Sequence, residues 1–192
     1  GKATVDRRTL AANTRHNVNI ETQKKRILEG SLTEQTQAVE RLVTRGDEEA
    51  IQVLIDLLES ADPQIRNSVA LGIYDLKPQR ALEPFLAAIF KDENHNFNGT
   101  LVYALGQLDC GHKLKEIFTI LFYESYEAKY GAYEILDTQI FEFSRGDLLA
   151  IKAMWEDLLE RPERCPGFDS DDTKEMILSS VNGYMSYLDT GE

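Results

Sequence analysis

A thiol and an imidazole stand nearly side by side at Cys110-Gly111-His112. A cysteine becomes a nucleophile when a base takes its proton. Residues this close at a turn rarely meet in that way, so the expected arrangement is a buried Cys110 beside an exposed His112. His16, His95 and His112 are the three histidines, and no second histidine lies three or four residues from any of them. Asp169, Asp171 and Asp172 suggest a calcium loop, but the Gly at loop position 6 and the Glu at position 12 are missing. These acids are expected to start and charge a last helix. No Gly-x-Ser-x-Gly elbow or Gly-rich phosphate loop occurs. The expectation is therefore no catalytic residue, no metal, no cofactor and no enzyme activity.

Aromatic residues carry the stronger signal. Tyr123, Tyr126, Tyr130 and Tyr133 fall within about 80° of one another at 100° per residue. Ala128, Ala132, Ile135 and Leu136 take the opposite side. Two roles stay open: packing between neighbouring helices, or an exposed ridge of the residue type enriched at interface hot spots. A loop at 137–147 holds Ile140, Phe141 and Phe143, which either tuck onto a core or hook a partner. Trp155 shares a face with Leu148, Ile151 and Leu158 and reads as core.

The chain has 192 residues and a formal net charge of -12. Residues 1–30 carry seven Lys/Arg against three Asp/Glu, so a basic segment precedes an acidic body. The acidic body argues against a nucleic-acid binder and for a partner of basic character. No apolar run approaches the ~20 residues that span a bilayer. Two cysteines exclude a disulfide scaffold. The chain opens Gly1-Lys2 without an initiator Met, so removal of an upstream segment is expected; the compartment expected is cytoplasmic.

Helical punctuation runs through the chain, while sustained alternation of period two is absent. Thr33 is placed to cap a helix ending at Gly46. Asp47 begins the next, with Ile51, Leu54, Ile55 and Leu58 on one face. Asp62-Pro63 combines a capping carboxylate with a proline at the first helical position. Ala70-Leu71-Gly72 returns as Ala104-Leu105-Gly106, with Ala38 and Ala132 at related spacings. Second apolar helices follow at 48–59, 79–91, 112–124 and 147–160. Paired helices at a period of about 30–45 residues predict an all-α, right-handed α-α superhelix of about four pairs. The expected organisation is one continuous domain: arm and capping helix at 1–32, repeat array at 33–160, loop and capping helix at 161–192. Residues 1–18 are expected to form a loose arm.

The run Asp62-Pro63-Gln64-Ile65-Arg66-Asn67-Ser68-Val69-Ala70-Leu71-Gly72 resembles the first helix of a HEAT repeat. Residues 95–125 keep Ala104-Leu105-Gly106 but lack the Asp-Pro and the Arg, and 33–61 and 126–160 fit by periodicity alone. The resemblance implies a HEAT-like, armadillo-type solenoid in which Asp62, Pro63 and Arg66 serve the fold. It also implies that second helices line the groove. Glu48, Glu49, Asp56, Glu59, Glu156 and Asp157 would then steer a basic protein, with the tyrosines, Phe141 and Phe143 as anchors. Some HEAT-like proteins are iron enzymes built on His-Glu pairs, and others excise alkylated bases from DNA on a basic face. This sequence holds no His-Glu dipeptide, and its charge is of the wrong sign. The expected function is a non-enzymatic protein-binding module or scaffold. The alternatives are an immunity protein of antitoxin type that blunts a basic toxin, and a bilin-lyase-like enzyme or chaperone.

Overall fold

The structure is a computed structural model and describes residues 6–8 and 18–190. Most of the stretch expected to form a loose arm lies outside the described residues. Among the described residues every regular element is helical and no strand occurs, so the chain is all-α. From Ile20 onward run α1 (Ile20–Glu29), α2 (Leu32–Arg45), α3 (Glu48–Asp56), α4 (Pro63–Leu76) and α5 (Leu82–Ile89). They are followed by α6 (Gly99–Leu105), α7 (Leu114–Tyr123), α8 (Tyr126–Thr138), α9 (Arg145–Glu160) and α10 (Asp171–Met185). Contacts group the chain into two compact units, Gly1–Ala81 and Leu82–Glu192.

In the first unit short polar side chains set the helix boundaries. Asn19 accepts from the Thr22 N–H to open α1. Ser31, not Thr33, opens α2: its backbone is extended, and its hydroxyl accepts from the Glu34 N–H at 3.3 Å. Thr33 lies inside the first turn, where its hydroxyl cannot take that position. Gly46 ends α2 in the left-handed conformation at φ 60°, and its N–H donates to the Leu42 carbonyl. Asp47 then accepts from the Ala50 N–H to start α3. Asp62 accepts from the Gln64 N–H and Pro63 occupies the first turn of α4. Arg66 is buried and its Nη1 donates to the Ser60 carbonyl at 2.8 Å, so all three residues hold the start of α4.

Ile27, Leu42, Leu54, Leu58, Val69 and Ile73 fill the core of this unit. α2 packs on α1, α3 and α4. At the α2–α4 crossing a Cβ on Gly72 would stand 2.7 Å from Val39 Cγ1 and 3.2 Å from Val43 Cγ2. Only glycine allows that approach.

The second unit packs α6 and α7 against α8, α9 against α7, and α10 against α8 and α9. Phe85, Ile89, Leu101, Phe118, Phe122 and Ile177 are fully or almost fully buried. Ala104 and Ala132 are buried here, as Ala38 and Ala70 are in the first unit. The recurrent small residue thus marks an inward face each time. The loop between α8 and α9 is pinned by Gln139, which accepts from the Cys110 N–H and donates to the Leu108 and Gly106 carbonyls. Ser144 and Asp147 exchange side-chain-to-backbone bonds and form the capping box of α9.

Two expected outcomes test these elements. Gly72→Ala should lower the stability of the chain by about 1–3 kcal/mol through overpacking. Gly183→Ala, in an open part of α10, should raise it by about 0.5–1 kcal/mol. Equal midpoints in urea unfolding would remove the α2–α4 crossing as the reason for Gly72. Burial pulls the Asp47 carboxyl upward, but bonds from the Ala50 N–H and Arg45 outweigh it and hold it low. Bonds from Ser144 hold Asp147 low as well. Folding depresses both, so their contribution is complete above the ordinary value of 3.8 and fades as pH falls through the lower native values. Below that value, stability of the Asp47→Asn/Asp147→Asn variant should fall less steeply with pH than that of the parent chain.

Candidate functional site

α6 and α8 lie backbone to backbone. A Cβ on Gly131 would stand 2.9 Å from Val102 Cγ1 and 3.7 Å from the Tyr103 nitrogen. At the other end, a Cβ on Gly99 would stand 2.8 Å from Glu127 Cβ. This close seam brings Tyr103 of α6 next to the Tyr130–Gly131 step of α8. Ala128, Ala132, Ile135 and Leu136 bury the inner face of α8, and Leu101, Val102 and Leu105 that of α6. What remains outside is aromatic: Tyr103 is 52% exposed, Tyr126 55% and Tyr130 50%, with Phe97 ahead of α6 at 56%. A hydrogen bond to the Glu134 carboxylate raises the Tyr130 hydroxyl, so it stays protonated as a donor.

The four tyrosines aligned by periodicity do not share one face. Tyr123 is the last residue of α7, and the extended backbone at Glu124 and Ser125 breaks the register before α8. Its ring meets Phe122 edge-on and is half-buried. Burial, then the Asp157 charge, pushes its hydroxyl up. Tyr133 is half-buried in a hollow that it shares with Tyr184 of α10. Tyr126 and Tyr130 alone remain on the open side of α8. Tyr103 joins them, a residue that periodicity did not single out. Its signal is the placement of a tyrosine between the apolar Leu101-Val102 and Ala104-Leu105 of a short helix.

Phe141 is buried, and its ring meets Tyr184 edge-on at 6.2 Å. Phe143 is half-buried between Tyr184 and Tyr187. These two rings join the core, whereas Ile140 beside them is 91% exposed. Trp155 stacks on Phe122 and meets Phe168 edge-on. The acids expected to line a groove are mostly engaged. Glu48 pairs with Arg80, Glu49 with Arg45, and Asp157 with both Arg161 and Arg164. Asp56 accepts from Gln52, Glu156 pairs with Lys152, and Glu59 is exposed.

A buried polar cluster supports the aromatic face from behind. The Glu124 carboxylate accepts from Asn98 Nδ2 at 2.9 Å and meets His95 Nδ1 at 2.8 Å. Asn98 also donates to the Ile89 carbonyl, and Asn94 donates to the Ala88 carbonyl. The last carbonyls of α5 are thereby satisfied, and α5 is tied to the start of α6 and the end of α7. The Lys129 ammonium is fully buried and donates to the Leu121 and Phe122 carbonyls at 3.0 and 2.8 Å. It caps α7 from α8. Burial holds it below the usual lysine range. Neither role is visible in periodicity, because a polar residue between tyrosines reads as solvated.

Cys110 is buried and burial pushes its thiol up to about 12, while His112 stands exposed beside Glu142. Such a thiol is a poor nucleophile. His95 pairs with the Glu124 carboxylate, an arrangement that orients an imidazole. Among the described residues no group of three or more His, Cys, Asp or Glu is placed to hold a metal ion. No helix among them is long and apolar enough to cross a membrane.

Truncations separate the aromatic face from the core. Tyr126→Ser and Tyr130→Ser should each change stability by less than about 0.5 kcal/mol, as exposed substitutions do. Phe122→Ala should cost about 3–5 kcal/mol. A large loss at Tyr130 in chemical denaturation would place that ring in the core. No protein-family model matches the chain, and a search of curated proteins finds no match to it.

Proposed function

We propose that this chain is a HEAT-like helical-repeat protein that binds another protein through the aromatic face of α6 and α8. The observation that carries the reading is the group of exposed tyrosines 103, 126 and 130 across the Gly131 seam. Tyrosine supplies large apolar area and a hydrogen-bonding tip at low entropic cost, which suits an interface anchor. The side-by-side first helices, α2 with α4 and α6 with α8, each joined at a glycine, support the repeat reading. In this reading the contact lies on first helices rather than on a groove of second helices.

The partner is a protein with a basic contact surface. The net charge of -12 favours its approach. Glu127 and Glu134 flank the tyrosines and are exposed, which offers carboxylates to lysine or arginine beside rings that accept cation–π contacts. The acids on α3 and α9 contribute to the long-range field, and Glu48, Glu49, Glu156 and Asp157 among them are held by their own cations.

A photo-crosslinking side chain at Tyr130 should capture the partner, while the same group at Leu178 of α10 should not. The Tyr103→Ser/Tyr130→Ser variant should bind the captured protein about 30-fold or more weakly, the loss of a hot spot of roughly 2 kcal/mol. Glu127→Gln/Glu134→Gln should slow association and flatten its salt dependence. Equal affinity of the tyrosine variant, measured by titration calorimetry, sinks the assignment of this face.

A further inference from the structure

α2 and α4 run side by side in the same direction. Near their first turns Gln64 Nε2 donates to Gln35 Oε1 at 3.1 Å. In the middle Gly72 meets Val39 and Val43, and towards the far end Gly46 meets Leu76. Along this seam the two helices leave a groove of about 520 Å³. Gly72 lines it at the crossing, and Val39, Val43 and Leu71 give it apolar walls. Leu71 is 47% exposed, so the apolar surface is open to solvent. Glu40 of α2 and Asp75 of α4 line the groove as well, and both are exposed, which sets them at its edges.

The charge of this groove is unanswered. Among the described residues that line it there is no lysine or arginine. Neither Glu40 nor Asp75 has an ion-pair or hydrogen-bond partner among the described residues, unlike Glu48, Glu49 and Asp157. Arg45, at the end of α2, is taken by Asp47 and Glu49. The pairings along the seam also give the spacing of the two carboxylates. Gln35 with Gln64 and Gly46 with Leu76 place Asp75 about five residues past the level of Glu40. That is about 7–8 Å along the helix axes, from one side of the groove to the other.

We infer that this groove is a docking site, separate from the aromatic face of α6 and α8, for a basic amphipathic segment of another protein. An apolar stripe of that segment lies on Val39, Val43 and Leu71. Lysine or arginine side chains on its two flanks, about one helical turn apart, meet Glu40 and Asp75. One turn rises about 5.4 Å, and the length of those side chains covers the rest of the offset. Charge selects this occupant. An acidic or neutral segment would strip water from two carboxylates and return no counter-charge. A second copy of this chain carries the same net charge of -12 and is repelled at a distance. The open walls suit a chain segment with one side in water better than a small molecule, which needs an enclosing pocket.

The test selects a phage-displayed library of random peptides on the whole chain and titrates the selected peptides against three variants. One group of peptides should carry lysine or arginine about one turn apart around leucine, isoleucine, valine or phenylalanine. These should bind Glu40→Gln/Asp75→Gln about tenfold more weakly than the parent chain, the loss of two exposed charge pairs, and with a flatter salt dependence. Leu71→Ser should weaken them too, whereas Tyr103→Ser/Tyr130→Ser should leave them unchanged. The substituted groove residues are exposed, and equal midpoints in urea unfolding verify that each variant keeps the fold. A library that yields only peptides weakened by the tyrosine substitutions overturns the inference and leaves the aromatic face standing. So does the lack of any peptide that Glu40→Gln/Asp75→Gln weakens, or a weakened group without basic residues. Sedimentation of the parent chain by itself reads the competing occupant: a dimer that these two substitutions dissolve gives the groove to a second copy and overturns the inference.

Discussion

The backbones of α6 and α8 touch because position 131 carries no side chain. Val102 occupies the space that a Cβ would need. The same device recurs in the first unit, where Gly72 admits Val39 and Val43 of α2. Close approach turns weak dispersion contacts into dense packing, and it leaves no slack for a methyl group. Short helices need this. α6 spans only Gly99–Leu105, too short to hold its shape without neighbours. Its inner residues are fully buried, and its outer tyrosine is carried on this packed base.

Short helices packed at their ends raise a second problem. Each leaves carbonyls that lack partners within the helix, and burial makes them costly. Here long polar side chains from elsewhere in the chain reach in to satisfy them. Lys129 serves α7, Asn94 and Asn98 serve α5, and Gln139 serves the turn after α6. A buried lysine is tolerable because two backbone carbonyls accept from its ammonium. Glu124 gathers His95 and Asn98 in the same way. These groups fix the backbone geometry around the exposed tyrosines.

The proposed recognition face sets exposed tyrosines on a packed support. The acids that a reading by charge alone assigns to steering are largely neutralised by adjacent arginines and lysines. In the proposed reading net charge acts at a distance, and local contact falls to the aromatic group and the glutamates beside it.

Much of this was legible from residues alone. Asp62-Pro63, Asp47 and Gly46 mark helix ends because each satisfies or releases a backbone group locally, within a few residues. The apolar period identified the buried faces of α3, α8 and α9, and the repeated Ala70 and Ala104 are inward as their recurrence suggested. The cap of α2 shifted from Thr33 to Ser31, since a cap depends on which residue is extended. The tyrosine row broke at Glu124, because a period cannot see a two-residue interruption that keeps the angles similar. Phe141 went inside and Ile140 stayed out, a choice made by Tyr184 on α10, more than forty residues along the chain. Lys129 and Glu124 were invisible as partners for the same reason. Local sequence determines where a helix begins, ends and turns its apolar side. Which polar group is buried, and against what, is decided only when distant helices close around it.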